Sequence, residues 1–325
     1  MSKYLLLLEI YSFMKKVVLF VGIIILVLLC TSVLFAQKPK SKEDALKEIA
    51  TLTNSKNPEE KEKGYELSKE FLTRFGKDKD PVIAKLRNFV NAYSEGRFFK
   101  AIDDKKYKDA FSYGKEILAE RPDFTEGLLC LAYAGYEALT SGGDKSYSNE
   151  SMMYARKAIQ LIDAGTLPNS FAPFKNKEEA TAWLYYIDAS FSKDNDKKAS
   201  AVSFYRSTLY DSPIKNNTVP YLAVAYYYED VYEKLSTELK AKVDSKTVSD
   251  ADSKKESENV NKVIDLILDS YVRAWKRADA ENSPEKTQVK DRLAQVYKFR
   301  KKTAEGLPEF INYIESLPMP DPSKM

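Results

Sequence analysis

The groups in this chain that can do chemistry are few, and their types narrow what that chemistry is. None of its 325 residues is histidine, which removes Ser-His-Asp and Cys-His nucleophile pairs, imidazole metal ligands and imidazole bases. Two cysteines are present, Cys30 and Cys130. Cys30 lies in an N-terminal apolar run, so one thiol is left in the body, with neither a disulfide partner nor a cluster to hold zinc or an iron–sulfur centre. Cys130 sits in Leu128-Leu129-Cys130-Leu131-Ala132 with no activating partner nearby in sequence, and reads as a small buried hydrophobe. Asp103-Asp104 offers two carboxylates, but short acidic runs favour solvated turns. A carboxylate-only enzyme needs acids facing each other across a cleft, and no local motif requires one. The expectation is a non-enzyme with no catalytic residues, cofactor or metal.

Tyrosine supplies the remaining candidates, 22 in all. Tyr221, Tyr226, Tyr227, Tyr228 and Tyr232 go round most of one expected helix, so some lie off its packed seam. A tyrosine combines apolar area with a polar tip and suits a binding face. Tyr133, Tyr185, Tyr221 and Tyr228 are the candidate partner-binding residues. The competing reading for each is packing between helices, the commoner fate of a helical aromatic stripe. Asn149-Glu150-Ser151 and Asn216-Asn217-Thr218 match the glycosylation acceptor, a coincidence in the bacterial context expected here.

Charge is abundant and balanced, 51 basic against 48 acidic residues, which argues against a nucleic-acid partner. Hydrophobic residues make up 44% of the chain and glycines number only 11. That composition suits close-packed helices.

The elements that must position these residues are read from helical spacing. In Lys106–Pro122, Tyr107, Ala110, Gly114, Ile117 and Pro122 fall at offsets 0, 3, 7, 10 and 15. A large residue, then small ones on the same face, then a terminating proline describes the second helix of a hairpin. Related offsets recur from Tyr65 (Ser68, Leu72, Phe75), from Met152 (Ala155, Ile159, Ile162) and from Lys198 (Ala201, Tyr205, Thr208). Cap signals at Ser41, Asn57-Pro58, Asp80-Pro81 and Ser283-Pro284 predict helix starts. Gly96 is a candidate bend in the helix that begins at Pro81.

This pattern resembles the tetratricopeptide repeat (TPR), whose second helix has this order of large, small and proline positions. The copies are 42, 45 and 46 residues apart, longer than the family's ~34. Phe98 stands where the family's first helix has a small residue. The resemblance implies an all-α, TPR-like antiparallel helix-hairpin solenoid over residues 57–317, with a groove for a protein or peptide partner. Binding then falls to exposed positions on the first helices of the hairpins. Residues 37–56 read as a linker and first short helix, 243–258 as a polar mobile insertion, and 318–325 as a frayed tail.

Val17 to Ala36 is uncharged, with Lys15 and Lys16 before it and Gln37-Lys38 after it. A basic start, an apolar core and a small residue before a polar stretch describe a secretory signal cleaved after Ala36. The run is also long enough for a membrane anchor, the less favoured reading. Leu28-Leu29-Cys30 lacks the small residue that the bacterial lipoprotein motif places before its cysteine. Met14 resembles the natural start, which makes residues 1–13 an upstream extension. The reading is an exported protein of the periplasm or cell envelope. It acts as a non-catalytic scaffold or adaptor for a protein or peptide. The alternative is an extracytoplasmic small-ligand or glycan receptor with an aromatic-lined cleft.

Overall fold

The computed structural model describes residues 41–192 and 196–325. The apolar run Val17–Ala36 and residues 1–13 lie outside the described residues. These form twelve α-helices: α1 (Lys42–Thr53), α2 (Pro58–Phe75), α3 (Pro81–Asp103), α4 (Tyr107–Glu120), α5 (Thr125–Gly142), α6 (Ser148–Asp163), α7 (Lys177–Ser192), α8 (Lys197–Ser207), α9 (Thr218–Asp244), α10 (Asp250–Ala280), α11 (Lys286–Lys301) and α12 (Leu307–Glu315). Short 3-10 turns cover Pro213–Asn216 and Pro322–Lys324, and no strand occurs among the described residues. No described helix is long and apolar enough to cross a membrane.

Local chemistry sets the helix starts. The Ser41 Oγ accepts from the Asp44 amide, and the Asn57 Oδ1 accepts from the Glu59 amide one residue past Pro58. The Asp80 Oδ1 accepts from the Val82 amide at 3.0 Å. Each bond satisfies a donor that helix geometry leaves open. α11 begins at Lys286, a turn later than Ser283-Pro284 suggests. Gly96 sits inside an unbroken α3 with open space around it.

The chain divides into two compact units, with the boundary between Tyr93 and Ser94 inside α3. In the first, α1 packs on α2 around Ile49, Phe71, Ile83 and Leu86. The first short helix, read from sequence as part of the linker segment 37–56, is therefore integral to this core.

In the second unit the helices from α4 to α11 each pack against the next, α5 also reaches α7, and α12 packs on α10. Its core runs as three linked clusters: around Phe98, Phe111 and Leu131; around Leu129, Ile162 and Leu184; and around Tyr228, Leu268 and Tyr271. Leu118 and Tyr154 border the first two, while Tyr136, Trp183 and Tyr210 border the last two. The small residues at the recurring third offset (Ser68, Ala110, Ala155 and Ala201) are all buried. They let neighbouring helix backbones approach. Phe98 is fully buried, and Gly114 makes room for it: a Cβ there would lie 3.1 Å from its ring and 2.7 Å from Leu131. The large residue is thus matched by a small one on the facing helix.

Two segments differ from the sequence reading. Residues 243–258 are not a mobile loop. α9 and α10 continue through them as a helical hairpin closed by Ser245–Ser249. Ser249 caps α10 at the Asp252 amide, Lys246 takes a left-handed φ of 53°, and Lys242 Nζ reaches Glu256 at 2.8 Å. The stretch is polar because both helices are solvated there, and its Lys, Glu and Ala residues are good helix formers. Nor is the tail 318–325 frayed. Pro322 is buried, the Pro322–Lys324 turn rests on α8, and Lys198 Nζ donates to the Met325 carbonyl.

Candidate functional site

α9 stands between two grooves. On one side its Tyr226, Tyr232, Glu229 and Glu233 face Arg292, Val296 and Phe299 of α11. Ile264 and Ile267 of α10 form the floor, and the hollow measures about 710 Å³. On the other side Leu222, Ala223 and Tyr227 face Tyr186 of α7 and Ala201 and Phe204 of α8, around about 630 Å³. A third hollow of about 720 Å³ lies between Leu222, Tyr226 and Glu229 and the start of α11, with Glu285, Gln288 and Asp291 on its wall. Tyr226 lines all three.

Helical periodicity explains the division of the tyrosines. Tyr221, Val224, Ala225 and Tyr228 follow i, i+3, i+4, i+7 and form the buried seam of α9. Tyr226 is off that seam and 51% exposed, and Phe299 on α11 is 52% exposed. Both rings stay about half open to solvent although Tyr271 meets Tyr226 and Tyr232 meets Phe299 edge-on.

Ion pairs border the grooves. Arg292 donates from Nε and Nη2 to the Glu229 Oε1 at 2.8 and 2.6 Å. That carboxylate raises the guanidinium further above its ordinary value. Burial pushes the Tyr271 hydroxyl above the usual tyrosine range. Lys197 Nζ donates to Asp230 at 2.5 Å. Among the described residues, Glu233, Glu285 and Asp291 form no ion pair. Phe299 already has a cation over its face, Lys302 Nζ at 4.7 Å from the ring centroid.

The four tyrosines singled out from sequence are not brought together here. Tyr221 and Tyr228 are buried on the packed seam, and Tyr185 is buried against Tyr210, with Arg206 over its ring. All three are buried in the packing between helices. Tyr133 is partly exposed and meets Phe174 and Trp183 edge-on at 5.5 and 5.6 Å. Sequence reasoning missed Arg292, Glu229, Glu233 and Phe299. The seam periodicity alone separates Tyr226 from Tyr228, but the α11 partners have no local signal.

The other candidates are accounted for locally. Asp104 pairs with Lys100 and Lys106 at 3.2 and 3.3 Å, and Lys100 first, then Lys106, hold it below the carboxylate range. Cys130 is buried with Sγ 3.6 Å from the Ala172 carbonyl, and burial pushes its thiol up to about 12. No group of three or more Cys, Asp and Glu able to hold a metal occurs among the described residues. The grooves offer apolar contact, ring faces and carboxylates, which is equipment for recognition.

No family model, curated protein or solved structure matches the chain.

Proposed function

We propose that this chain is a non-catalytic interaction scaffold, built as a TPR-like hairpin solenoid, that holds a protein or peptide partner in the grooves beside α9. The observation that carries this reading is the pair of half-exposed rings, Tyr226 and Phe299, beside the hollows that border α9. Uncovered aromatic area next to fixed charges is the usual composition of a hot spot. Rigid helices on both sides keep the grooves preformed, so a partner meets little ordering cost in the scaffold. The run Val17–Ala36 supports export to the periplasm or envelope, with a cleaved signal favoured over an anchor.

The test is selection of a random peptide library on the full-length chain, counter-screened on the chain carrying Tyr226→Ala and Phe299→Ala. The reading predicts enriched sequences that lose binding to the double variant. Enrichment of nothing, or of sequences indifferent to both substitutions, would remove it.

A further inference from the structure

We infer that the occupant of the α9–α11 groove is a cationic peptide segment, with lysine or arginine side chains spaced among apolar ones. This rests on the scaffold reading above and adds the chemistry of the partner. The chain as a whole has a formal net charge of +3. The grooves around Tyr226 have the opposite sign. Glu229, Asp230, Glu233, Glu285 and Asp291 line them. Against these stand Lys197, Arg292 and, at the rim, Lys302.

Two of the five acids are engaged, Glu229 by Arg292 and Asp230 by Lys197. Arg292 donates both its bonds to Glu229 Oε1. Glu233, Glu285 and Asp291 have no such partner among the described residues. Glu233 stands beside the exposed ring of Tyr226 and the apolar floor of Ile264 and Ile267, while Asp291 and Glu285, which accepts from the Ser283 hydroxyl, stand beside Tyr226 in the adjoining hollow. A cation entering here meets ring faces and carboxylates together, the combination that recognises ammonium and guanidinium groups. Lys302 over Phe299 is an intramolecular instance of that contact on the same wall. An acidic segment would instead bring like charges to the unpaired carboxylates, which is unfavourable.

The experiment compares two short labelled peptides of equal length and apolar content, one with lysine and arginine, the other with glutamate at the same positions. Fluorescence anisotropy with the full-length chain reads binding. The expected result is binding of the basic peptide alone, weakened as salt rises. Glu233→Lys, an exposed position, weakens it about fivefold, and Tyr226→Ala weakens it about tenfold or more. Far-ultraviolet circular dichroism checks that both variants remain folded. Equal or tighter binding of the acidic peptide overturns the inference, as does basic-peptide binding that ignores Glu233→Lys and Tyr226→Ala. If the library yields groove-dependent sequences without basic residues, the cation inference falls while the scaffold reading stands. If it yields none, both fall.

Discussion

Arg273 and Asp269, one turn apart on α10, form a forked ion pair almost out of water: Nε to Oδ1 at 2.7 Å and Nη2 to Oδ2 at 3.2 Å, with the side chains 10% and 6% exposed. The same Nη2 donates to the Ile314 and Leu317 carbonyls at the end of α12. One guanidinium therefore neutralises a buried acid and caps the last helix. Burial pushes the Asp269 carboxyl up, against the pull of Arg273.

Removing one partner of such a pair leaves a buried charge alone, at a cost of about 3–5 kcal/mol. Arg273→Met should therefore destabilise the fold by about that amount in urea unfolding. Replacing both, with Arg273→Met and Asp269→Leu, should recover most of it, because desolvation offsets much of the pair's Coulomb gain. A double variant no more stable than Arg273→Met would contradict this account.

Gly135 and Gly96 predict opposite signs for the same substitution. A Cβ on Gly135 would sit 2.6 Å from the Ser151 Cβ, where α5 and α6 approach closely and the Ser151 Oγ donates to the Ala132 carbonyl at 2.5 Å. Overpacking of about 1–3 kcal/mol then outweighs the helix-propensity gain of about 1 kcal/mol. Gly96→Ala meets open space and should keep that gain, stabilising by about 1 kcal/mol. Thermal melts of the two variants read the sign directly.

Two buried tyrosine hydroxyls on α9 differ in their partners. The Tyr221 hydroxyl donates to the Lys215 carbonyl at 2.8 Å, whereas that of Tyr228 has no partner among the described residues. Tyr221→Phe should lose about 1 kcal/mol, with the Lys215 carbonyl keeping Arg277 Nε as its donor at 3.3 Å. Tyr228→Phe removes an unsatisfied hydroxyl and should be neutral or stabilising by about 1 kcal/mol. A loss at Tyr228 equal to that at Tyr221 would place a partner on its hydroxyl.

Cys130 sets a pH signature. Its folded value of about 12 lies above the ordinary 9.0, so its contribution to stability is complete below pH ~9 and is lost as the pH rises toward ~12. At mildly alkaline pH the native thiolate fraction is about a thousandfold below that of the unfolded chain. In the chain carrying Cys30→Ser, disulfide reagents should label the native protein at least about that much more slowly than the denatured one. Rapid native labelling would show Cys130 to be accessible.

Much of the framework was legible in the sequence because helix signals are local. The caps at Ser41, Asn57 and Asp80 and the small residues Ser68, Ala110, Ala155 and Ala201 each depend on neighbours within a turn or two of chain. The same locality misled at 243–258, where polar composition was read as a loop. A solvated helical hairpin has that composition too, and Lys242 with Glu256 is visible only once the two helices lie side by side. The tail was misread for the same reason: burial of Pro322 depends on α8, more than a hundred residues earlier.

By itself the sequence determined the helical class, the absence of imidazole chemistry and the periodic small residues that bring helices together, since these follow from residue type and spacing. Only the tertiary structure decided which tyrosines are core and which are surface. Tyr226 and Tyr228 are two residues apart on one helix, so they point in different directions, and what each meets is set by α7, α8, α10 and α11. The pairing of Glu229 with Arg292 is likewise a product of packing, since the two side chains come from helices that adjoin only after the chain has folded.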